Sequence, residues 1–111
     1  MANLRKMLPP LTALTAFETA ARLGSFTRAA AELGVTQAAI SRQIHVLEAD
    51  FGFPLFLRLH RKVELTEKGR VLFAAAGDAF NLIADTVAEL RAEGLEEELA
   101  ISATISFAHI W

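Results

Sequence analysis

The sequence predicts a mainly α fold of three short helices, a β-hairpin and one long helix, and three observations predict it. Three segments with helical apolar spacing each end on a glycine, at Gly24, Gly34 and Gly52. A run that alternates apolar and charged residues follows, ending at Val63-Glu64-Leu65. Beyond it an apolar stripe recurs every three or four residues from Leu72 to Leu90.

The first helix is read over Leu11 to Leu23, behind Pro9-Pro10, with Leu14, Phe17, Ala20 and Ala21 on one face. Gly24 stops it, and Ser25 is placed to cap a second helix from Phe26 to Leu33. Gly34 makes the next corner because glycine enters the left-handed conformation without a Cβ penalty. Val35 is expected to plug that turn into the core. Thr36 caps the third helix, which runs to Phe51 and buries Ile40, Ile44, Leu47 and Phe51. Turned at ~100° per residue, its opposite face carries Ala38, Ser41, Arg42, His45 and Ala49. Nothing large and apolar lies there, so that face is free to meet a partner.

Phe53-Pro54-Leu55-Phe56 reads as an anchored turn, and Leu57 to Leu65 as a short hairpin with basic residues at its tip. Thr66 caps the long helix, read from Glu67 to Glu93 with Gly94 as its stop. About 27 residues at 1.5 Å each span roughly 40 Å, too long to be covered by so small a domain. Its stripe of Leu72, Ala76, Phe80, Ile83, Val87 and Leu90 has the spacing of a helix–helix seam, so a second copy is expected against it. Residues 95–111 are read as an acidic hinge, Glu96-Glu97-Glu98, then a strand over Leu99–Ile105. A lone strand cannot stabilise itself, so it is taken as the start of a domain otherwise absent. The expected organisation is 1–65, 66–94 and 95–111.

Composition narrows the function. Of 111 residues, 53% are hydrophobic and 22% charged, enough for a packed core and too apolar for disorder. The absence of cysteine excludes disulfides, thiolate metal sites and a cysteine nucleophile. The uncharged stretches are shorter than the ~20 residues of a membrane span and no signal-peptide core appears, so a cytoplasmic protein with no membrane partner is expected. The net charge of −2 conceals a division: residues 1–75 carry ten basic and six acidic groups, residues 76–111 one and seven. The first part therefore suits a polyanion. No enzymatic constellation is present: His45, His60 and His109 lack metal-ligand spacing, Ser41 has no evident base, and no glycine-rich phosphate loop occurs. Neither metal nor cofactor is expected.

The most informative unit is Ser25 to Leu47, with small Ala30 at a helix crossing, Gly34 at the corner and Ile40 six residues on. That is the pattern of a helix-turn-helix, whose second helix lies in the DNA major groove. Within it, Ser25-Phe26-Thr27, Ala29-Ala30, Leu33-Gly34-Val35-Thr36-Gln37 and Ile40-Ser41-Arg42-Gln43-Ile44 resemble the N-terminus of LysR-type regulators. So do Leu47-Glu48, Gly52, Pro54-Leu55-Phe56, Arg58, Arg61, Leu65-Thr66 and Gly69. Leu8-Pro9-Pro10-Leu11 with Ala16-Phe17-Glu18 is similar to the glycine-cleavage-activator and β-lactamase-regulator subgroup. The resemblance covers about residues 8 to 95, and the tail resembles the first strand of the family's effector domain.

The resemblance implies a winged helix-turn-helix regulator that binds a pseudo-palindromic operator in double-stranded DNA as a homodimer joined by the long helix. Full-length members pair again into tetramers and sense a small molecule through a domain not expected in these residues. By matching positions, Gln37, Ala38, Ser41 and Arg42 read bases, with glutamine able to pair with adenine. Ser25, Thr27 and Thr36 match phosphate contacts, and Arg58, Arg61 and Lys62 match the wing. His45 shares the exposed face and is a candidate backbone contact. Leu59 and Lys62 stand where many relatives have small or turn-forming residues, which puts the shape of the wing tip in question. The competing reading is a winged-helix module that binds protein rather than nucleic acid, which the acidic pI of 5.9 favours.

Overall fold

The computed structural model describes residues 3–60 and 62–110, by backbone alone from 104 onward. The elements are α1 (Leu4–Met7), α2 (Leu11–Leu23), α3 (Phe26–Leu33), α4 (Gln37–Phe51), β1 (Phe56–Leu59), β2 (Lys62–Leu65) and α5 (Glu67–Ile110). Contacts divide the chain into one unit reaching to Gly77 and a second from Asp78 onward.

The predicted punctuation forms as the local chemistry requires. Ser25 and Thr36 each accept, through the side-chain oxygen, a hydrogen bond at 3.1 Å from the amide three residues on, Arg28 and Ala39. Gly24, Gly34 and Gly52 end α2, α3 and α4 in the left-handed region. At the corner between α3 and α4 the Gly34 and Val35 amides both donate to the Ala30 carbonyl.

The core of the first unit is built on alanine. Ala13, Ala16 and Ala20 of α2 and Ala29 and Ala30 of α3 are buried beside Phe17, Ile40, Ile44 and Leu47. Small side chains at these crossings let three helices approach closely, and Leu55 and Phe56 close the remaining side. Thr19 is buried, and its hydroxyl donates to the Thr15 carbonyl at 2.8 Å, so no polar group is left unpaired there.

The hairpin is antiparallel, pairing Phe56 with Leu65, Leu57 with Glu64, Arg58 with Val63 and Leu59 with Lys62. Its root is clamped twice. The Glu48 carboxylate accepts from the Leu55 and Phe56 amides at 2.7 and 3.2 Å. Thr66 donates its amide to the Leu55 carbonyl and its hydroxyl to the Pro54 carbonyl, while accepting from the Gly69 amide. The start of α5 thus presses against the loop before the wing.

Four expectations are corrected. A short helix, α1, precedes Pro9, where none was read; Asn3 caps it by accepting from the Arg5 amide. Val35 is 47% exposed rather than buried, because amide hydrogen bonds close the corner and leave its side chain outside. Gly94 does not stop the long helix, and residues 96–98 form no hinge. The segment read as the strand Leu99–Ile105 is helical, since α5 continues to Ile110. One interior glycine costs a helix only about 1 kcal/mol, whereas a strand with no neighbour to bond gains nothing. Leucine, alanine and glutamate, frequent around Gly94, favour the helix.

Taken whole, Glu67–Ala103 is long and apolar enough to cross a membrane by length and composition, which the short uncharged runs had not suggested. Asp78 and Asp85 lie within it, and each carboxylate at mid-bilayer would cost about 2.5–3.5 kcal/mol.

Gly69 supplies the sharpest steric test, because a Cβ there would overlap the Leu55 carbonyl oxygen, a backbone atom that cannot move aside. Gly69→Ala is expected to lower stability by about 3 kcal/mol, read from urea midpoints. A loss below half that figure would mean that α5 does not press on this loop.

Candidate nucleic-acid interface

Two helix N-termini and one hairpin edge make the candidate surface. Each terminus carries amides without intrahelical partners, and each is capped by a hydroxyl. Because Ser25 and Thr36 cap as acceptors, both keep a hydroxyl proton to donate outward. The α3 terminus, the α4 terminus and the wing meet around an open cleft of about 280 Å³, with Ser25, Thr27, Gln37, Arg58 and Lys62 on its walls. Five side chains spread over 38 sequence positions therefore share one site.

Within the cleft, Thr27 donates its hydroxyl to the Gln37 Oε1 at 3.1 Å, joining the first turns of α3 and α4. The Arg58 guanidinium stands 5.4 Å from the centroid of the Phe26 ring. That ring positions the cation while leaving its N–H groups available. Lys62 pairs with Glu64 at 3.3 Å, both side chains exposed, a contact worth at most about 1 kcal/mol and readily exchanged for a phosphate.

The α4 face continues from the cleft. Ala38, Ser41, Arg42, His45 and Ala49 fall within an arc of about 100°, opposite Ile40, Ile44 and Leu47. Ala38, Arg42 and His45 are exposed and Ser41 half-buried. Thr36 and Gln37 open the same helix and are exposed. Arg61, the remaining predicted wing residue, lies outside the described residues.

A second ion-pair group braces α2 against α3. Arg22 of α2 bonds Glu18 on its own helix at 3.0 Å and Glu32 of α3 through both terminal nitrogens. The hydrogen bond from Arg22 chiefly holds the Glu32 carboxyl below its usual range, helped by the charges of Arg22 and Arg28 against desolvation. The same bonds, to Glu32 first and then Glu18, push the Arg22 pKa up.

Of the predicted seam, Leu72 packs against the first unit's core and Ala76 is buried. In the second unit Phe80 and Val87 are half-buried, and Ile83 and Leu90 are 58% and 62% exposed. No cluster of three or more histidines or carboxylates suited to a metal occurs among the described residues. Sequence reasoning missed Phe26 as the platform for Arg58, the Thr27–Gln37 bond and the Arg22–Glu32 brace, since none has a signal in local spacing.

A glycine-cornered pair of capped helices with a basic hairpin beside them is a winged helix-turn-helix. A family model described as the bacterial regulatory helix-turn-helix protein, lysR family, matches residues 11–70, and the chain belongs to that family. The glycine cleavage system transcriptional activator of Escherichia coli (strain K12) is 45% identical over 106 residues, 96% of this chain and 35% of that protein. The transcriptional activator AmpR of Citrobacter koseri is 45% identical over 102 residues, 92% and 36% of the two chains. The chain thus spans about a third of the length of the curated relatives it matches. Both relatives are named as activators of transcription, and neither is named as an enzyme.

Among solved structures, the CbnR_DBD-DNA complex matches with TM-score 0.62 and 35% identity, covering 75% of this chain and 95% of that one. The BenM_DBD/catB site 1 DNA complex matches with TM-score 0.68 and 30% identity, covering 75% and 92%.

The Arg22 brace makes a pH prediction with a definite sign. A carboxyl whose folded pKa is depressed adds stability in full above its ordinary range and loses it as pH falls through the lower folded value. Glu32→Gln should therefore lose less stability than the parent on acidification below about pH 5, in urea titrations. Parallel acid limbs for the two proteins would sink this role for Arg22.

Proposed function

We propose that the chain binds double-stranded DNA sequence-specifically as a homodimer on a pseudo-palindromic operator, placing α4 in the major groove and the wing on the flanking backbone. The observation that carries this reading is the convergence of two capped helix N-termini with Arg58 and Lys62 on one open cleft continuous with the exposed α4 face. Helix N-termini and hydroxyl donors suit phosphate oxygens, and exposed cations add counterion release. Gln37, Ala38, Ser41 and Arg42 then choose the sequence, while Ser25, Thr36, Arg58 and Lys62 fix register. His45, further along α4, reaches toward the backbone.

Support comes also from the two matched DNA-binding domains, each named as a complex with DNA. These groups need neither metal nor cofactor to hold a phosphate, and the binding takes place where the DNA is, in the cytoplasm. The exposed Ile83 and Leu90, with Phe80 and Val87, are the part of the stripe that a second copy would cover.

Anisotropy of random duplex DNA across a salt series is the direct test. Binding should weaken steeply, by about 0.9 log units per tenfold rise in salt for each phosphate neutralised. A dimer with no DNA affinity at low salt would instead favour the protein-binding module. Arg42→Ala is expected to cost about 1–3 kcal/mol of specific binding at a selected operator, and unchanged affinity would remove Arg42 from base reading. Ile83→Glu or Leu90→Glu should give a monomeric mass by light scattering, since either sets a charge in the seam; a persisting dimer refutes it.

A further inference from the structure

The resemblance assigns Thr27 to phosphate, but the structure gives its hydroxyl proton to the Gln37 Oε1 at 3.1 Å. Both side chains are exposed and both line the cleft between the α3 terminus and the wing. Gln37 is the first residue of α4, and its own backbone position is already set by the Thr36 cap. Its carboxamide would otherwise turn freely, offering either the carbonyl or the amino group to whatever it meets.

We propose that Thr27 is a positioning residue that fixes the direction in which Gln37 reads DNA; the inference rests on the DNA-binding reading above. With Oε1 turned to Thr27, the two Nε2 protons point outward. Presented in this direction, Nε2 pairs with acceptors in the major groove, O6 or N7 of guanine or O4 of thymine. The familiar two-bond pairing of glutamine with adenine would have to share the carbonyl between the Thr27 hydroxyl and N6, so it is disfavoured against bases that meet Nε2 alone. Thr27 therefore contributes to base choice from a different helix, without touching the base.

Site selection from a randomised duplex library, using the full chain, tests this. The parent chain should select guanine or thymine over adenine at the strand position nearest the α4 N-terminus. Thr27→Val, which keeps the shape and removes the hydroxyl, should lower discrimination at that position about fivefold, the equivalent of one lost hydrogen bond, and admit adenine. Thr27→Ser should retain the parent preference. In a Gln37→Ala background, Thr27→Val should change the preference no further.

A uniform loss of affinity for all sequences on Thr27→Val, with the selected motif intact and the same loss in Gln37→Ala, would make Thr27 a phosphate contact and overturn the proposal. Equal motifs and affinities for parent and Thr27→Val would overturn it as well. If the parent chain selects nothing and binds no duplex at low salt, the DNA-binding reading fails first and the inference falls with it.

Discussion

The ring of Phe56 is where the wing is tied to the helices. It is 4% exposed and lies 5.4 Å from the rings of both Phe17 on α2 and Phe26 on α3, tilted against the first and edge-on to the second. Its amide is held by Glu48 of α4, and its strand partner is Leu65, just before α5. One residue thus refers the hairpin to α2, α3 and α4. Burying a phenylalanine stabilises by about 1.5–3 kcal/mol, and each aromatic pair adds about 0.5–1.5. The exposed Lys62–Glu64 pair is worth at most about 1. Packing, not ion pairing, therefore decides where the wing cations stand.

That constraint explains why the cleft exists at all. Phe26 is buried at 8% exposure, with one part of its ring against Phe56 and Arg58 over it. Arg58 is two residues beyond Phe56 on the same strand, so the alternation of β1 directs both toward α3. Ser25 and Thr27 flank Phe26 in sequence and are carried with it. Across the glycine corner, the close approach allowed by Ala29 and Ala30 brings Gln37 within bonding distance of Thr27. The polar groups of the interface are held by apolar neighbours one or two residues away.

Much of this architecture was legible because its signals are local. A hydroxyl cap, its amide and a terminating glycine lie within one or two helical turns, and those at Ser25, Thr36, Gly24, Gly34 and Gly52 form as read. The presence of the hairpin and the buried Ile40, Ile44 and Leu47 follow from periodicity, whereas the strand register did not. What escaped is tertiary. Thr27 to Gln37 and Arg22 to Glu32 are pairs ten residues apart on different helices, and Phe26 to Arg58 crosses the whole unit. Val35 was misread because its apolar type was weighed above the hydrogen bonds that close the corner. The misread tail has another cause: alternating small and apolar residues suit both strand and helix, and only a neighbouring strand could have decided for the strand.

A net charge of −2 is no obstacle to the proposed reading, because screening makes charge a local property. The Debye length at physiological salt is about 8 Å, so a phosphate on the cleft responds to Arg58, Lys62 and the helix termini rather than to distant carboxylates. The acidic excess falls after residue 75, with Asp78, Asp85, Glu89, Glu93 and Glu96-Glu97-Glu98 set against Arg91 alone. Such a segment gains nothing from contact with a polyanion and suits an apolar seam bordered by solvated charge. The opposed charges of the two parts thus select the same division of labour as their burial: the capped, cation-flanked termini face outward in the first unit, and the unsatisfied apolar side chains Ile83 and Leu90 stand in the second. Adding basic residues beyond Asp78 to raise the pI would weaken that separation, since it would draw the seam itself toward nucleic acid.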